Sequence, residues 1–320
     1  MESNTEQRPP GVLKPFADIL GTTVENGRLD IPKQYGKGYA SVHIINEHLA
    51  MMINNFELNR EITFPSRNND FPSKLILFRF QNIIQATDKT VPKRQINATP
   101  SVQIITLGMN TNIMIPGNIR KLEIYIAIDA QYLNSLVQNR QQNRILQAIL
   151  ENTQPLLFEQ IVYPSLQAVV NEIISESVDD SFQLFFYKVK AEELICRLLI
   201  ELVKRDETNV YSLNMNDIQA IYKVKEWMLE HLDKHATIEE LAGLANMSQS
   251  KLKRLFKQIF GNSIFSYFQN YRMQEATRML KEEKLSVSEV GYQLGFSNLS
   301  HFSRIFEEHI GLKPKKYAMM

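Results

Sequence analysis

The stretch GFSNLSHFSRIF, residues 295–306, decides how this sequence is interpreted. Phe302, Ile305 and Phe306 recur at helical spacing, which predicts a surface helix with one apolar stripe. The opposite face carries groups that donate hydrogen bonds or positive charge, namely Asn298, Ser300, His301, Ser303 and Arg304. A polar face on a single surface helix is often only solvated, so this helix alone does not decide a function.

The same pattern occurs a second time in the chain. IEELAGLANMSQSKLKRLFKQIFG, from Ile238, aligns with VSEVGYQLGFSNLSHFSRIFEEHIG, from Val287, with one extra residue in the second copy. Each copy predicts two helices joined by a tight turn, with Ser248 and Ser297 as N-caps of the second helices. A duplication is the simplest explanation. The polar face of the earlier copy holds Gln249, Ser250, Lys253, Arg254 and Lys257.

The segment between the two copies predicts a rigid connecting helix over residues 264–280. Its apolar side chains are expected to pack against both copies; they are Phe265, Phe268, Tyr271, Met273, Ala276, Met279 and Leu280. Arginine pairs with guanine O6 and N7, serine, asparagine and histidine make single contacts to bases, and helix N-termini attract phosphate. A fixed connector lets two such helices enter successive major grooves, with centres about 34 Å apart.

These segments resemble the DNA-binding domain of the AraC/XylS family of bacterial transcription regulators. The resemblance is carried by LAGLANMSQSKLKRLFKQIFG (241–261), YRMQEATRML (271–280) and GYQLGFSNLSHFSRIFEEHIGLKPKKY (291–317), in this order. It implies two helix-turn-helix units that bind double-stranded DNA. Leu299 departs from the polar group that family members often have, so we expect it to contact a thymine methyl or to add little specificity. The implied major-groove contacts come from Ser250, Lys253 and Arg254, and from Ser300, His301, Ser303 and Arg304.

Composition limits the other functions. The chain has 320 residues, 44% of them hydrophobic, which suffices for two or three domains. Its net charge of +1 predicts no global attraction to nucleic acid or membrane, but residues 216–320 hold 15 Lys and Arg against 12 Asp and Glu. The sequence has no apolar signal segment and no run of about 18 uncharged apolar residues, which favours a cytoplasmic protein without a membrane partner.

The rest of the chain predicts an α+β organisation. Residues 1–22 are expected to be a flexible N-terminus, residues 23–204 an effector-sensing and dimerisation domain, residues 205–216 a linker and residues 217–320 the all-α DNA-binding domain. The middle domain is predicted to be β-rich over 23–128 and helical over 129–204, and the resemblance implies a cupin-like barrel followed by a helical dimerisation segment. The predicted strands are GYASVHIIN, HLAMMINNFEL, KLILFRFQNI, SVQIITLGM, TNIMIP and LEIYIAI.

Several side chains in this region have two readings. His43 and His48 suit a metal site or ordinary strand positions, and the lack of a third ligand nearby favours the second. Cys196 is expected to be a buried structural thiol. The helix over residues 182–204 suits either a dimer interface or core packing, through Phe185, Val189, Leu194, Leu198 and Leu202. A further set of apolar side chains is predicted either to line a ligand cavity or to form plain core, and we favour the core. These side chains are Phe78, Phe80, Met114, Ile124 and Ile126.

The sequence therefore predicts a sequence-specific DNA-binding transcription regulator. The resemblance also implies that a small-molecule effector acts on the N-terminal domain. We expect the protein to bind promoter or operator DNA as a homodimer and to contact RNA polymerase if it activates. No GxSxG, HExxH or glycine-rich phosphate loop indicates an enzyme, and no cofactor or metal is predicted. The alternatives are an effector-independent DNA-binding regulator and a helical protein-interaction module that does not bind DNA.

Overall fold

The computed structural model describes residues 10–64, 74–83, 100–106, 113–138, 143–205 and 210–319. The chain divides into two compact units, Met1–Leu213 and Asn214–Met320. None of the helices among these residues combines the length with the apolar character needed to cross a membrane.

An antiparallel sheet is the centre of the first unit. Seven of the described strands pair in the order β1-β2-β3-β8-β5-β6-β9, and β4 pairs with β7. No pairing among the described strands joins β1 to β9, so the predicted closed barrel is not found. The strands are β1 (Arg28–Asp30), β2 (Gly36–Ile44), β3 (Leu49–Leu58), β4 (Ile62–Phe64), β5 (Leu75–Gln81), β6 (Ser101–Ile105), β7 (Ile113–Ile115), β8 (Arg120–Asp129) and β9 (Leu157–Ile161).

All six predicted strand runs contain a strand, although residues 107–109 and 111–112 of two runs lie outside the described part. Two short strands, β1 and β4, were not predicted. The third unpredicted strand, β9, falls within the segment predicted to be helical. It forms because Leu157–Ile161 pairs antiparallel with Ser101–Ile105, a long-range contact that local periodicity does not reveal.

Helices cover the sheet of the first unit. They are α1 (Pro10–Leu20), α2 (Ala130–Leu136), α3 (Arg144–Glu151), α4 (Pro164–Ser175) and α5 (Asp180–Leu202). Alternation along β8 directs Ile124 and Ile126 into the core that α2–α5 share. On β3, which pairs with β8, Phe56 lies on the opposite face of the sheet and contacts α1. The centres of the Phe56 and Phe16 rings lie 5.4 Å apart.

Several predictions for this unit need correction. The predicted flexible N-terminus is partly wrong, because α1 buries Leu13, Phe16 and Leu20 in a second core that it shares with β1, β2 and β3. Residues 1–9 lie outside the described part. In the predicted linker, residues 206–209 also lie outside it, whereas Leu213 is buried and donates its backbone N–H to the carbonyl of Pro155 at 2.9 Å.

The structure shows the burial of the side chains for which the sequence allowed two interpretations. Phe78, Phe80, Ile124 and Ile126 are fully buried in the core, whereas Met114 is exposed. Cys196 is also exposed, so the prediction of a buried thiol is wrong.

The two histidines make separate contacts. His43 Nε2 lies 3.1 Å from Ser41 Oγ, and the ring lies 4.5 Å from the Tyr187 ring. His48 instead stacks on Tyr132 at 5.1 Å. Burial lowers the pKa of His43. The described residues contain no group of three or more side chains able to hold a metal.

The second unit contains helices in a repeated arrangement. They are α6 (Met215–Glu230), α7 (Ile238–Leu244), α8 (Gln249–Phe260), α9 (Ile264–Lys281), α10 (Val287–Gln293), α11 (Leu299–Ile310) and α12 (Pro314–Met319). The pairs α7–α8 and α10–α11 are the two predicted copies. Capping boxes start α7 at Thr237 and α10 at Ser286, and glycines in the left-handed region end α8 at Gly261 and α11 at Gly311.

The connecting helix α9 has the predicted extent within one residue. It buries Phe268, Met273 and Ala276, but Phe265 is exposed, so its predicted packing role is wrong. Two polar residues that sequence reasoning did not select, Gln269 and Arg272, are buried on the same helix.

Candidate nucleic-acid interface

The turn before each second helix fixes how that helix starts. Four residues separate α7 from α8 and five separate α10 from α11, so the extra residue of the second copy lies in its turn. Ser248 caps α8 as predicted, accepting from the backbone N–H of Lys251 at 3.3 Å. The predicted cap Ser297 is wrong. Because of the extra residue, Asn298 caps α11 instead, accepting from the N–H groups of Ser300 and His301 at 2.9 and 3.1 Å.

Helix α8 has the predicted two faces. Leu252, Leu255 and Phe256 are buried. The predicted DNA-contacting residues are all exposed; they are Gln249, Ser250, Lys253, Arg254 and Lys257. Between these faces, Lys251 Nζ lies 2.7 Å from Asp217 Oδ1 in α6, an ion pair that fixes α8 to its neighbour.

Helix α11 repeats this division. Phe302 and Phe306 are fully buried, while Ser303 and Ile305 are half-buried. The exposed members of the predicted set are Asn298, Ser300, His301 and Arg304. Arg304 Nη1 lies 2.8 Å from Glu308 Oε1, but both side chains are more than half exposed, so this pair contributes little and leaves Arg304 able to reorient.

The four helix starts differ in charge. Glu240 and Glu289 occupy the first turns of α7 and α10 and accept from the cap backbone N–H groups there. The Ser286 hydroxyl and backbone hold the pKa of Glu289 below its usual range. The first turns of α8 and α11 contain no acidic residue and are capped by neutral side chains. The positive ends of these two helix dipoles are therefore uncompensated, as phosphate binding requires.

A cleft of about 410 Å³ lies beside α11. Its walls come from the loop before α7, from the first half of α9 and from α11 with the turn before it. Residues that line it include His235, Phe265, Arg272, Phe296, His301 and Arg304.

Arg272 lies beneath this cleft and is completely buried. Its guanidinium donates to the carbonyl of Leu294 and to Gln269 Oε1, and its central carbon lies 4.0 Å from the centre of the Phe296 ring. Burial lowers the pKa of Arg272 to about 10. The ring of Phe296 in turn contacts that of His301, with centroids 5.9 Å apart. Arg272 thus supports both the turn before α11 and the first turn of α11 itself.

Sequence reasoning missed His235, Gln269 and Arg272. All three lie outside the two copies, and although Arg272 belongs to the segment YRMQEATRML (271–280), nothing in that segment marks it as buried. Their common position becomes visible only when α9 packs against α11.

Comparison with known proteins covers mainly this second unit. Residues 241–320 match the family model described as "Helix-turn-helix domain". An uncharacterized HTH-type transcriptional regulator, YdeC of Bacillus subtilis, is 26% identical over 153 residues, which are 46% of this chain and 53% of the relative. A probable transcriptional regulator, LumQ of Photobacterium leiognathi, is 29% identical over 162 residues, 48% of this chain and 62% of the relative. The chain therefore spans little more than half the length of these relatives.

Among solved structures, a probable AraC family transcriptional regulator from Rhodopseudomonas palustris is 27% identical. It covers 32% of this chain and 95% of its own, with a TM-score of 0.29. The matched region of the chain contains both pairs α7–α8 and α10–α11, except for the N-cap and the first three residues of α7. Residues 241–320 are therefore a helix-turn-helix domain.

Proposed function

We propose that the protein is a transcription regulator that binds a specific double-stranded DNA sequence through both helix-turn-helix units. The observation that carries the proposal is the repetition of one arrangement. Helices α8 and α11 each bury an apolar stripe, expose a polar and basic face, and start without an acidic residue. A surface helix that is merely solvated has no reason to repeat all three properties.

The exposed side chains have distinct roles in this proposal. Arg254 and Arg304 read base edges, because a guanidinium can pair with guanine O6 and N7 together. Lys253 and Lys257 bind phosphates as point charges. The remaining residues make single hydrogen bonds to bases or phosphates; they are Gln249, Ser250, Asn298, Ser300, His301 and Ser303.

Fluorescence anisotropy tests this proposal with the full chain, DNA fragments from its own gene neighbourhood and excess competitor DNA. We expect one fragment to be selected, and Arg254→Ala or Arg304→Ala to weaken that selection by about 1–3 kcal/mol. Arg144→Ala is the matched control, because Arg144 is exposed but lies on α3 in the first unit. Equal and weak binding to all fragments by the wild type would contradict sequence-specific recognition.

The proposed assembly is a homodimer formed through α5. Leu194, Leu198 and Leu202, part of the predicted seam, are buried in the unit's own core and are therefore not available. A different stripe on α5 faces solvent, formed by Phe182, Phe185, Val189, Cys196 and Ile200. A second copy is the occupant that suits it, because an apolar stripe at heptad-like spacing is complementary to itself in an antiparallel helix pair.

We also propose that a small-molecule effector regulates the protein. An effector bound by residues 23–204 would shift the placement of the DNA-binding domains within an existing equilibrium. DNA affinity measured across a metabolite panel tests this, and an effector-independent regulator is the alternative.

Contact with RNA polymerase, location in the cytoplasm and lack of enzymatic activity complete the proposal. A protein-interaction module is the other alternative, and DNA selection by the wild type would eliminate it.

A further inference from the structure

The cleft between α9 and α11 combines positive charge with apolar surface. Arg272, Arg304, His235, His301 and His309 contribute cationic or titratable groups to its lining. Of the described residues that line it, Glu308 is the one acid, and Glu308 pairs with Arg304. The lining of the cleft therefore has an excess of positive charge.

The positive charge of Arg272 is energetically costly at this position. Its charge is completely buried, and within the described chain no ion pair joins it to a carboxylate, since its hydrogen-bond acceptors are a carbonyl and an amide oxygen. Its Nε and the Nε2 of Gln269 are buried donors without a partner among the described residues. A buried charge normally has a paired counterion, because its interactions are poorly screened.

The positive charges at this cleft also act on His235, which lies in the loop before α7. Burial lowers its pKa, and the charges of Arg272 and His301 lower it further. Basic groups from three different elements thus line this cleft. A bound anion would relieve this repulsion.

The apolar walls restrict the type of anion. Phe265, Phe296 and Ile305 line the cleft beside the basic groups, and 66% of Phe265 is exposed to solvent. A volume of about 410 Å³ lies within the range of sites for small organic ligands. Inorganic phosphate would leave the apolar walls hydrated, whereas a carboxylate with a hydrocarbon body satisfies both kinds of surface.

We propose that this cleft binds a small organic monocarboxylate with an aromatic or aliphatic body, and that the bound anion weakens DNA binding by α11. The second half, the weakening of DNA binding by the bound anion, rests on the proposed function. His301 and Arg304 belong both to the cleft lining and to the proposed DNA-contacting face. A carboxylate that pairs with them neutralises charge that DNA would otherwise use, and holds the two side chains away from the groove.

Isothermal titration calorimetry on the full chain tests the first half, with 3-phenylpropionate as the probe. We expect saturable binding at one site per chain, at least tenfold weaker binding of the neutral 3-phenylpropionamide, and no displacement by equimolar inorganic phosphate. Phe265→Glu places a carboxylate in the cleft and should weaken binding at least tenfold. Tyr292→Glu is the matched control, since Tyr292 is an equally exposed aromatic outside the cleft and its substitution should change affinity less than twofold.

His235→Gln provides a second variant in case Phe265→Glu does not fold. It removes a basic group from an exposed residue and should weaken binding at least threefold. Equal affinity for acid and amide, unchanged affinity in Phe265→Glu or in His235→Gln, or no saturable binding at millimolar probe would each overturn the site.

The second half is tested by anisotropy on the DNA fragment that the wild type selects. We expect saturating 3-phenylpropionate to weaken DNA binding at least fivefold in wild type and Tyr292→Glu, and less than twofold in Phe265→Glu. Probe binding without any loss of DNA affinity would overturn the competition. Selective DNA binding without probe binding would overturn the site and leave the proposed function standing.

Discussion

Gly291 in α10 lies directly against Leu299 in α11: a Cβ atom at position 291 would lie 2.6 Å from Cδ2 of Leu299. The same atom would lie 3.4 Å from Cδ1 of Phe302. The alignment of the two copies from Ile238 and Val287 pairs Gly291 with Ala242, so the first copy also has a small residue at this position. Leu299 is half-buried because it covers Gly291, so packing accounts for an apolar residue at the start of a polar helix face.

We therefore expect Gly291→Ala to gain no stability from its better helix propensity. Alanine normally stabilises a helix interior by about 0.5–1 kcal/mol relative to glycine, but here Leu299 must move. Gly243→Ala in α7 is the control, because no atom lies within 4 Å of its Cβ position and the normal gain should appear. Hydrogen exchange of the α7 and α10 amides in the full chain measures both. Equal gains in protection would contradict the close crossing.

Gly295→Ala should destabilise the second helix-turn-helix unit strongly. Gly295 has φ +74°, and a Cβ there would lie 2.1 Å from the carbonyl oxygen of Asp233, which is backbone and cannot rotate away. Gly311 also lies in the left-handed region, with φ +82°, but its Cβ position is open. Gly311→Ala should therefore cost only the conformational penalty of about 1–2 kcal/mol.

Hydrogen exchange of the α11 amides distinguishes these two effects. We expect Gly295→Ala to lose clearly more protection than Gly311→Ala. The same loss in both variants would mean that backbone conformation alone, and not the contact with Asp233, requires glycine at position 295.

The second unit was largely predictable because its signals are local. Phe302 and Phe306 follow a helical period, and the duplication supplies each pattern twice. The capping pairs Thr237–Glu240 and Ser286–Glu289 were also present in the sequence, although our sequence interpretation did not use them. The cap at Asn298 was misplaced by one residue, because an alignment does not show where in a turn an insertion falls.

The features that sequence reasoning missed depend on contacts between distant segments. Strand β9 forms by pairing with β6, more than 50 residues earlier. Helix α5 has two apolar faces with helical periodicity, and only the packing of the first unit shows that Leu198 is covered while Phe185 is exposed. An arginine within a helix usually reaches solvent, so the complete burial of Arg272 has no local signal.

Glu123 should make the first unit sensitive to acid. Burial raises its pKa, but the charges of Arg79 and Lys121 and the Tyr125 hydroxyl outweigh burial, so the pKa lies below its usual value. A carboxylate with a depressed pKa in the folded state contributes stability above its unfolded pKa, and this contribution disappears as pH falls through the folded value.

We expect Glu123→Gln to cost about 1.5–3 kcal/mol at pH 7 and to flatten the loss of stability below about pH 4.5. Glu176→Gln, at an exposed glutamate, should keep the wild-type profile. Thermal unfolding from pH 3 to pH 7 measures this. Parallel profiles for wild type and Glu123→Gln would show that Glu123 does not carry the acid sensitivity.

Phe185→Glu should convert the proposed homodimer into a monomer. Phe185 belongs to the α5 stripe and is 68% exposed, so a glutamate at this position costs the core nothing but places two carboxylates in an antiparallel interface. Leu184→Glu is the control, since Leu184 is exposed on the opposite side of α5. Sedimentation equilibrium should show dissociation for Phe185→Glu alone, and a wild-type monomer at micromolar concentration would rule out this interface.

Lys253→Gln should change the salt dependence of DNA binding more than its specificity. Lys253 is exposed on α8, and a lysine that binds a phosphate releases about one counterion. The slope of log K against log salt should therefore become shallower by about 1, with nearly equal weakening on selected and unselected fragments. Lys284→Gln, at an exposed lysine after α9, should keep the wild-type slope. Arg304→Ala should have the opposite effect. It should change the specificity of DNA binding, at one base position, more than the salt dependence. If Lys253→Gln instead lowers selectivity at constant slope, Lys253 reads a base, and the division of roles between lysine and arginine on the two helices is wrong.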